Sequence, residues 1–421
     1  MNQTPSGERI QIGLFGRVNA GKSSLMNRLA GQALAVVSER EGTTTDPVRK
    51  AMELLPLGPV MLYDTPGLSD RSALGEKRGE KTEEILRRTD IALLVMDGAA
   101  EARKIEDALE ADLVARFKAH SLPFIVIINK CEEMDEKSRG ALQNKVAARL
   151  NLTERDVVCF SCVRELSDMP TSLLRERIAA AGAGLIAKKR PLVADLLDKG
   201  DVVILVAPID ESAPKGRLIL PQQQVIRDVI EAGAIAMTVQ PGELLGALDA
   251  LKAPPKLVIT DSQAFFEVDR ALPKEIPLTS FSILMARHKG DLPRQAAGAR
   301  KIDALPAKAR ILISEGCTHH RQCGDIGTVK LPRWIAEKTG RKDITYEFTS
   351  GGEFPKDVSG YDLVIHCGGC TLPEKEMAWR LAVAKDAGVA MTNYGTMIAH
   401  LHGILDRATA IFGDETSRPG Q

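Results

Sequence analysis

Short, almost wholly apolar runs recur along this chain, separated by stretches whose apolar positions fall three and four apart. From Ile10 onward IQIGLFG, VMLYDTPG, IALLVMDG, PFIVIINK and DVVCFSC read as strands, continuous in hydrophobicity as strands buried on both faces must be. Helical patterning lies between them, which predicts a wound, mainly parallel α/β sheet over residues 1–184. AAGAGLIAKKRP, ending at Pro191, breaks the pattern with small residues and a basic cluster and reads as a linker. Two smaller alternations follow. Over 190–272 the strands are DVVILVAP, AIAMTV and KLVITD, with helices near PQQQVIRDVIEAG and PGELLGALDALK. Over 273–411 they are ARILISEG, DITYEF, YDLVIHCGG and GVAMTN, with helices starting near Phe281, Leu331, Pro373 and Tyr394. The two units look like variations on one small α/β plan, and the tail, 412–421, is expected to be disordered.

Composition narrows the function. A chain of 421 residues is too long for one ordinary core. With 44% hydrophobic and 27% charged residues it has the make-up of a soluble globular protein. A formal net charge of zero offers no overall pull toward nucleic acid, and 4% aromatic residues leave little for base stacking. The polar start MNQTPSGERIQ lacks a secretory pattern, and no apolar run approaches the ~20 residues of a membrane helix, so a cytoplasmic location is expected. Seven cysteines, an odd count, then read as free thiols or metal ligands.

GRVNAGKS, Gly16 to Ser23, fits G-x-x-x-x-G-K-[ST] after an apolar strand and before a helix, the setting of a P-loop. Amides of Gly16 and of Asn19, Ala20, Gly21, Lys22, Ser23 and Ser24 are expected around the phosphates, with the Lys22 ammonium on the β and γ oxygens and the Ser23 hydroxyl on magnesium. DTPG supplies Asp64 near that magnesium and the Gly67 amide near the γ-phosphate. EGTTTD supplies Thr43 and Thr44, the latter closing over the metal. NKCE, Asn129 to Glu132, follows the strand PFIVIIN, and the series resembles the translation-factor-like GTPases, in which N-K-x-D reads guanine. Here Lys130 keeps its place, but Glu132 is one methylene longer than the usual aspartate. Ser161 and Cys162 of CFSC match the small loop whose backbone touches the base, and Cys131 and Cys159 read as inert thiols. Leu68 stands where many GTPases have a water-orienting glutamine, so hydrolysis is expected to be slow. Asn19 resembles the asparagine of potassium-activated GTPases related to MnmE.

A second chemistry lies near the carboxyl terminus. CTHHRQCGDIG begins at the end of one strand, and IHCGGC ends another. In a parallel sheet their carboxyl ends share an edge, so Cys317 and His319 can meet His366, Cys367 and Cys370. Three thiolates with one nitrogen or labile ligand suit an iron-sulfur cluster, and zinc would accept the same set. His319 and His366 are candidate fourth ligands. Cys323 reads as a bystander, His320 adjoins His319, and His120, His288, His400 and His402 stand apart.

Taken together, the P-loop with Asn19, GTTTDP, DTPG, a middle α/β unit and C-x-H with H-C-x-x-C resemble the HydF family of iron-iron hydrogenase maturation GTPases. LPQQQVIRD, PLTSFSILMARHKGDL and CTHHRQCGDIG extend the likeness over nearly the whole chain. The resemblance implies a P-loop GTPase domain followed by a dimerisation domain and a cluster-binding domain. It also implies GTP or GDP with magnesium and potassium, a 4Fe-4S cluster, and a transient diiron precursor. That precursor would be assembled by the radical maturases HydE and HydG and passed to apo iron-iron hydrogenase by a homodimer, with neither nucleic acid nor membrane as partner. Glu132 and Cys323 depart from the pattern. The competing reading is a ribosome-assembly or tRNA-modification GTPase with structural zinc.

Overall fold

Seven consecutive buried residues, Ile10–Gly16, form β1 at the middle of a six-stranded sheet. The computed structural model describes residues 4–31, 48–65, 82–99, 108–186, 190–209, 218–317 and 325–413. It divides into two compact units, Met1–Lys189 and Arg190–Gln421. In the first, β2 (Arg49–Leu54), β3 (Gly58–Asp64), β4 (Ile91–Asp97), β5 (Phe124–Asn129) and β6 (Val157–Cys159) join β1 in the order β2-β3-β1-β4-β5-β6. Every pairing is parallel except β2 with β3. β2 escapes the hydrophobic pattern because it is an edge strand: RKAMEL buries only Met52 and Leu54.

Helix α1 (Lys22–Ala30) leaves the loop after β1, and α2 (Thr171–Ile186) ends the described part of this unit. The segment expected as a linker from Ala180 is therefore helical through Ile186. One of its small residues serves packing: a Cβ on Gly182 would stand 2.6 Å from Ile91 Cδ1 and 3.0 Å from Leu57 Cδ2. Composition marked the segment correctly as unusual, but close helix-to-sheet contact was the reason.

The second unit contains two four-stranded sheets, parallel throughout. In one, β7 (Val202–Val206), β8 (Ile235–Val239), β9 (Leu257–Thr260) and β10 (Leu278–Ser280) run in the order β10-β9-β7-β8. Helix α3 (Phe281–Lys289) follows β10 directly. In the other, β11 (Arg310–Ser314), β12 (Thr345–Thr349), β13 (Leu363–His366) and β14 (Ala390–Asn393) run β12-β11-β13-β14. Helix α4 (Glu374–Asp386) precedes β14, and α5 (Tyr394–Leu401) follows it.

Each sheet places its first strand between its second and third, so the two repeat one plan, as the hydrophobic pattern suggested. β10 carries the first of these sheets past the division expected at residues 272 and 273. One hydrophobic core joins both sheets, including Val203, Ile204, Ile311 and Ile365. It also takes in Phe412, inside the span expected as tail. There Phe412 lies 5.3 Å beneath the guanidinium of Arg287, which bridges to Asp195 at the start of the unit. Residues 414–421 lie outside the described ones. No helix among the described residues is long and apolar enough to cross a membrane.

Candidate functional site

The loop between β1 and α1 begins the nucleotide site. Gly21 has φ of 95°, and a Cβ there would sit 2.1 Å from Asn129 Nδ2, so only glycine fits this turn. Asn19, at φ 62°, stands exposed on the loop. The Lys22 ammonium folds back over the loop and donates to the carbonyls of Gly16 (3.1 Å) and Arg17 (2.7 Å). Burial lowers its pKa, and the nearby charge of Asp64 opposes that. Register pairing sets Asp64 beside Leu14, and its carboxylate accepts a hydrogen bond from Ser23 Oγ. The hydroxyl and carboxylate expected on magnesium therefore lie together. Ser24, next on α1, is exposed.

Asn129 ties the base side to the phosphate side. Its Nδ2 donates to the Ala20 carbonyl at 3.1 Å, and its Oδ1 accepts from the Cys162 amide at 3.2 Å. Lys130 Nζ pairs with Asp97. Glu132 Oε2 is buried and has no hydrogen-bond partner among the described residues. A buried carboxylate oxygen left so costs about 1–3 kcal/mol or more, which donors on a guanine ring would recover. Glu132 thus offers an unpartnered acceptor oxygen on the same loop as Asn129 and Lys130. Ser161 Oγ accepts from the amides of Val163 (3.2 Å) and Arg164 (3.3 Å). Burial pushes the half-buried Cys162 thiol up to about 12, and the buried Cys131 and Cys159 thiols donate to the carbonyls of Ile128 (3.2 Å) and Arg139 (3.4 Å). Thr43, Thr44, Gly67 and Leu68 lie outside the described residues.

The cysteine centre lies at the carboxyl ends of β11 and β13, where the strand order of their sheet reverses direction. Ser314 pairs with His366, so the chain leaves both strands at one level. Cys367 Sγ accepts N–H bonds from Gly316 (3.0 Å) and Gly369 (3.4 Å). Thr371 Oγ1 donates to the Gly316 carbonyl at 3.1 Å, joining the two loops. Gly369 has φ of 62°, and a Cβ on it would meet Met377 Sδ at 2.7 Å, so the turn requires glycine. Burial, followed by the neighbouring charges of Cys370 and Cys317, pushes the Cys367 thiol up to about 12, against the pull of the amides.

His366 departs from its expected place as a possible fourth ligand. It is fully buried, with Nδ1 2.7 Å from the Cys367 carbonyl and Nε2 2.9 Å from Arg380 Nη1. Arginine only donates, so Nε2 accepts and the proton sits on Nδ1. Burial and the Arg380 charge lower its pKa to about 3. Both nitrogens are engaged within the protein, and His366 acts on Cys367 through that residue's carbonyl. Arg380, fully buried, also binds Glu376 Oε1 (3.0 Å) and the Gly351 carbonyl (2.8 Å). Nothing in the local pattern of α4 marked it.

His319, His320 and Cys323 lie outside the described residues. Among the described residues, no group of three or more His, Cys, Asp or Glu is gathered closely enough to hold a metal ion. What fits a cluster is the donor chemistry: thiols from two converging loops and amide N–H groups directed at a sulfur.

A P-loop at the end of β1, an aspartate at the end of β3 and a base-side asparagine at the end of β5 define a P-loop GTPase domain. The 50S ribosome-binding GTPase family matches residues 11–130. The hydrogen maturase F dimerization domain matches 192–290, and the hydrogen maturase F tetramerization domain matches 294–411. The chain belongs to the HydF family. Among curated proteins, the tRNA modification GTPase MnmE of Azoarcus sp. (strain BH72) is 36% identical over 146 residues, 33% of this chain and 31% of that protein. GTPase Der of Campylobacter concisus (strain 13826) is 37% identical over 134 residues, 31% of this chain and 28% of that protein. The chain thus spans about a third of the length of the curated relatives it matches. The crystal structure of a probable GTP-binding protein engB aligns with TM-score 0.31 and 19% identity, covering 41% of this chain and 99% of that one.

Proposed function

We propose that this protein is a cytoplasmic GTP-binding and GTP-hydrolysing scaffold. It carries a 4Fe-4S cluster on Cys317, Cys367 and Cys370 and delivers a diiron precursor to apo iron-iron hydrogenase. The observation that carries this reading is the pair of amide bonds to Cys367 Sγ, one from the loop of each converging strand. When bound, the cluster supplies redox-active iron and a point of attachment for the precursor. The chain supplies the rest: three thiols, amides that stabilise sulfur charge, and His366 with Arg380 holding the backbone of Cys367. His319 is left as the nearest nitrogen in sequence for a displaceable fourth ligand. In the first unit Lys22 binds phosphate, Ser23 and Asp64 hold magnesium, and Asn129 with Glu132 reads guanine.

Iron and sulfide analysis of the anaerobically purified protein, with transfer to apo-hydrogenase after exposure to HydE and HydG, tests this function. A colourless protein holding zinc and no iron would move the reading to a GTPase of the ribosome-assembly or tRNA-modification class.

Asn19 carries the proposal that hydrolysis is slow and potassium-stimulated, since its exposed amide sits on the loop that holds the phosphates. Turnover in potassium should exceed that in sodium several-fold at equal ionic strength, and Asn19→Ala should erase the difference. Equal rates in the two salts for the unaltered protein would end this role.

Assembly as a homodimer is supported by β8, an edge strand whose Ile235 is 54% exposed. Such an edge pairs readily with its own copy. Light scattering should give the mass of at least two chains; a single-chain mass at micromolar concentration would count against it.

A further inference from the structure

Lys289 is a buried lysine, 5% exposed, at the last position of α3. Its ammonium donates to three carbonyls of one turn: Leu372 (3.0 Å), Cys370 (3.2 Å) and Gly369 (3.5 Å). That turn carries Cys370 and follows Cys367 directly. A second contact locates the helix against it, since a Cβ on Gly368 would lie 3.5 Å from Met285 Cβ, one turn earlier on α3. Burying an ammonium is costly, and three carbonyl oxygens converging on it hold both partners in place. Neither the spacing of the cysteines nor the pattern of α3 hints at this, because 80 residues separate Lys289 from Gly369.

We propose that Lys289 is a positioning residue for the cysteine centre: it fixes the turn bearing Cys367 and Cys370, and its charge offsets the negative charge gathered there. This rests on the reading that these thiols hold a cluster. A cation fixed so near favours the more negative, reduced form of a thiolate-held cluster, because charge acts strongly across a short, dry path. Removing the charge shifts the reduction potential to more negative values. Loosening the turn speeds the loss of iron.

The test compares Lys289→Met, Lys289→Gln and Lys289→Arg with the unaltered protein, each anaerobically reconstituted with iron and sulfide. The two neutral variants should give midpoint potentials more negative than the unaltered protein, and should lose iron to a chelator several-fold faster. The arginine variant should keep the potential. An unshifted potential in a folded neutral variant, or an equal shift in the arginine variant, overturns the proposal. Loss of the domain's fold in both neutral variants, read by circular dichroism, makes Lys289 an ordinary structural residue and also overturns it. An unaltered protein that takes up no cluster overturns the underlying reading and this one with it.

Discussion

Cys367→Ser is expected to leave a folded protein that retains almost no iron after anaerobic purification. The substitution is small, and a serine oxygen can still accept the amide bonds that Gly316 and Gly369 give the sulfur, so the local structure has little reason to change. What is lost is the soft thiolate that iron in a sulfur cluster selects. The paramagnetic signal of the reduced cluster should vanish with the iron, while GTP turnover stays near its unaltered rate. Near-normal iron in this variant would mean that the cluster is held elsewhere. Cys323→Ser is the companion measurement: full iron retention supports three thiolates with a displaceable fourth ligand, whereas loss of iron makes Cys323 the fourth.

Lys22→Ala should have the opposite profile, cutting GTP hydrolysis by about 100-fold or more while iron content is unchanged. The magnitude follows from removing a preorganised cation from the position where phosphate charge develops. Folding should survive, because burial lowers the pKa of Lys22 and the native state therefore already strains to keep that ammonium charged. The two chemistries lie in separate units, Met1–Lys189 and Arg190–Gln421, which is why one should fail without the other. Iron loss alongside lost hydrolysis, in a variant with unchanged circular dichroism, would contradict that independence.

The sequence by itself determined the elements whose causes are local. The P-loop is legible because a strand, a glycine turn and the first turn of a helix occupy one contiguous stretch, Gly16 to Ser23. The buried strands are legible for a similar reason: β1, β4 and β5 are apolar nearly throughout, as sheets covered on both faces demand. Edge strand β2 was hidden because RKAMEL exposes Arg49 and Glu53 and buries only Met52 and Leu54, and the small residues before Ile186 read as a break because composition alone does not reveal the close contact at Gly182. Within the cysteine centre, the thiols and their strand ends could be read in advance. That the two strand ends lie side by side was settled by the strand order β12-β11-β13-β14, which sets β11 against β13 across about fifty residues of chain. The state of His366 depended on Arg380, brought from α4 to its Nε2, and the hold on the Cys370 turn came from Lys289 at the end of α3. Periodicity records which face of an element is buried, but it carries no account of which distant side chain arrives there; that is decided only when the packed core brings the elements together.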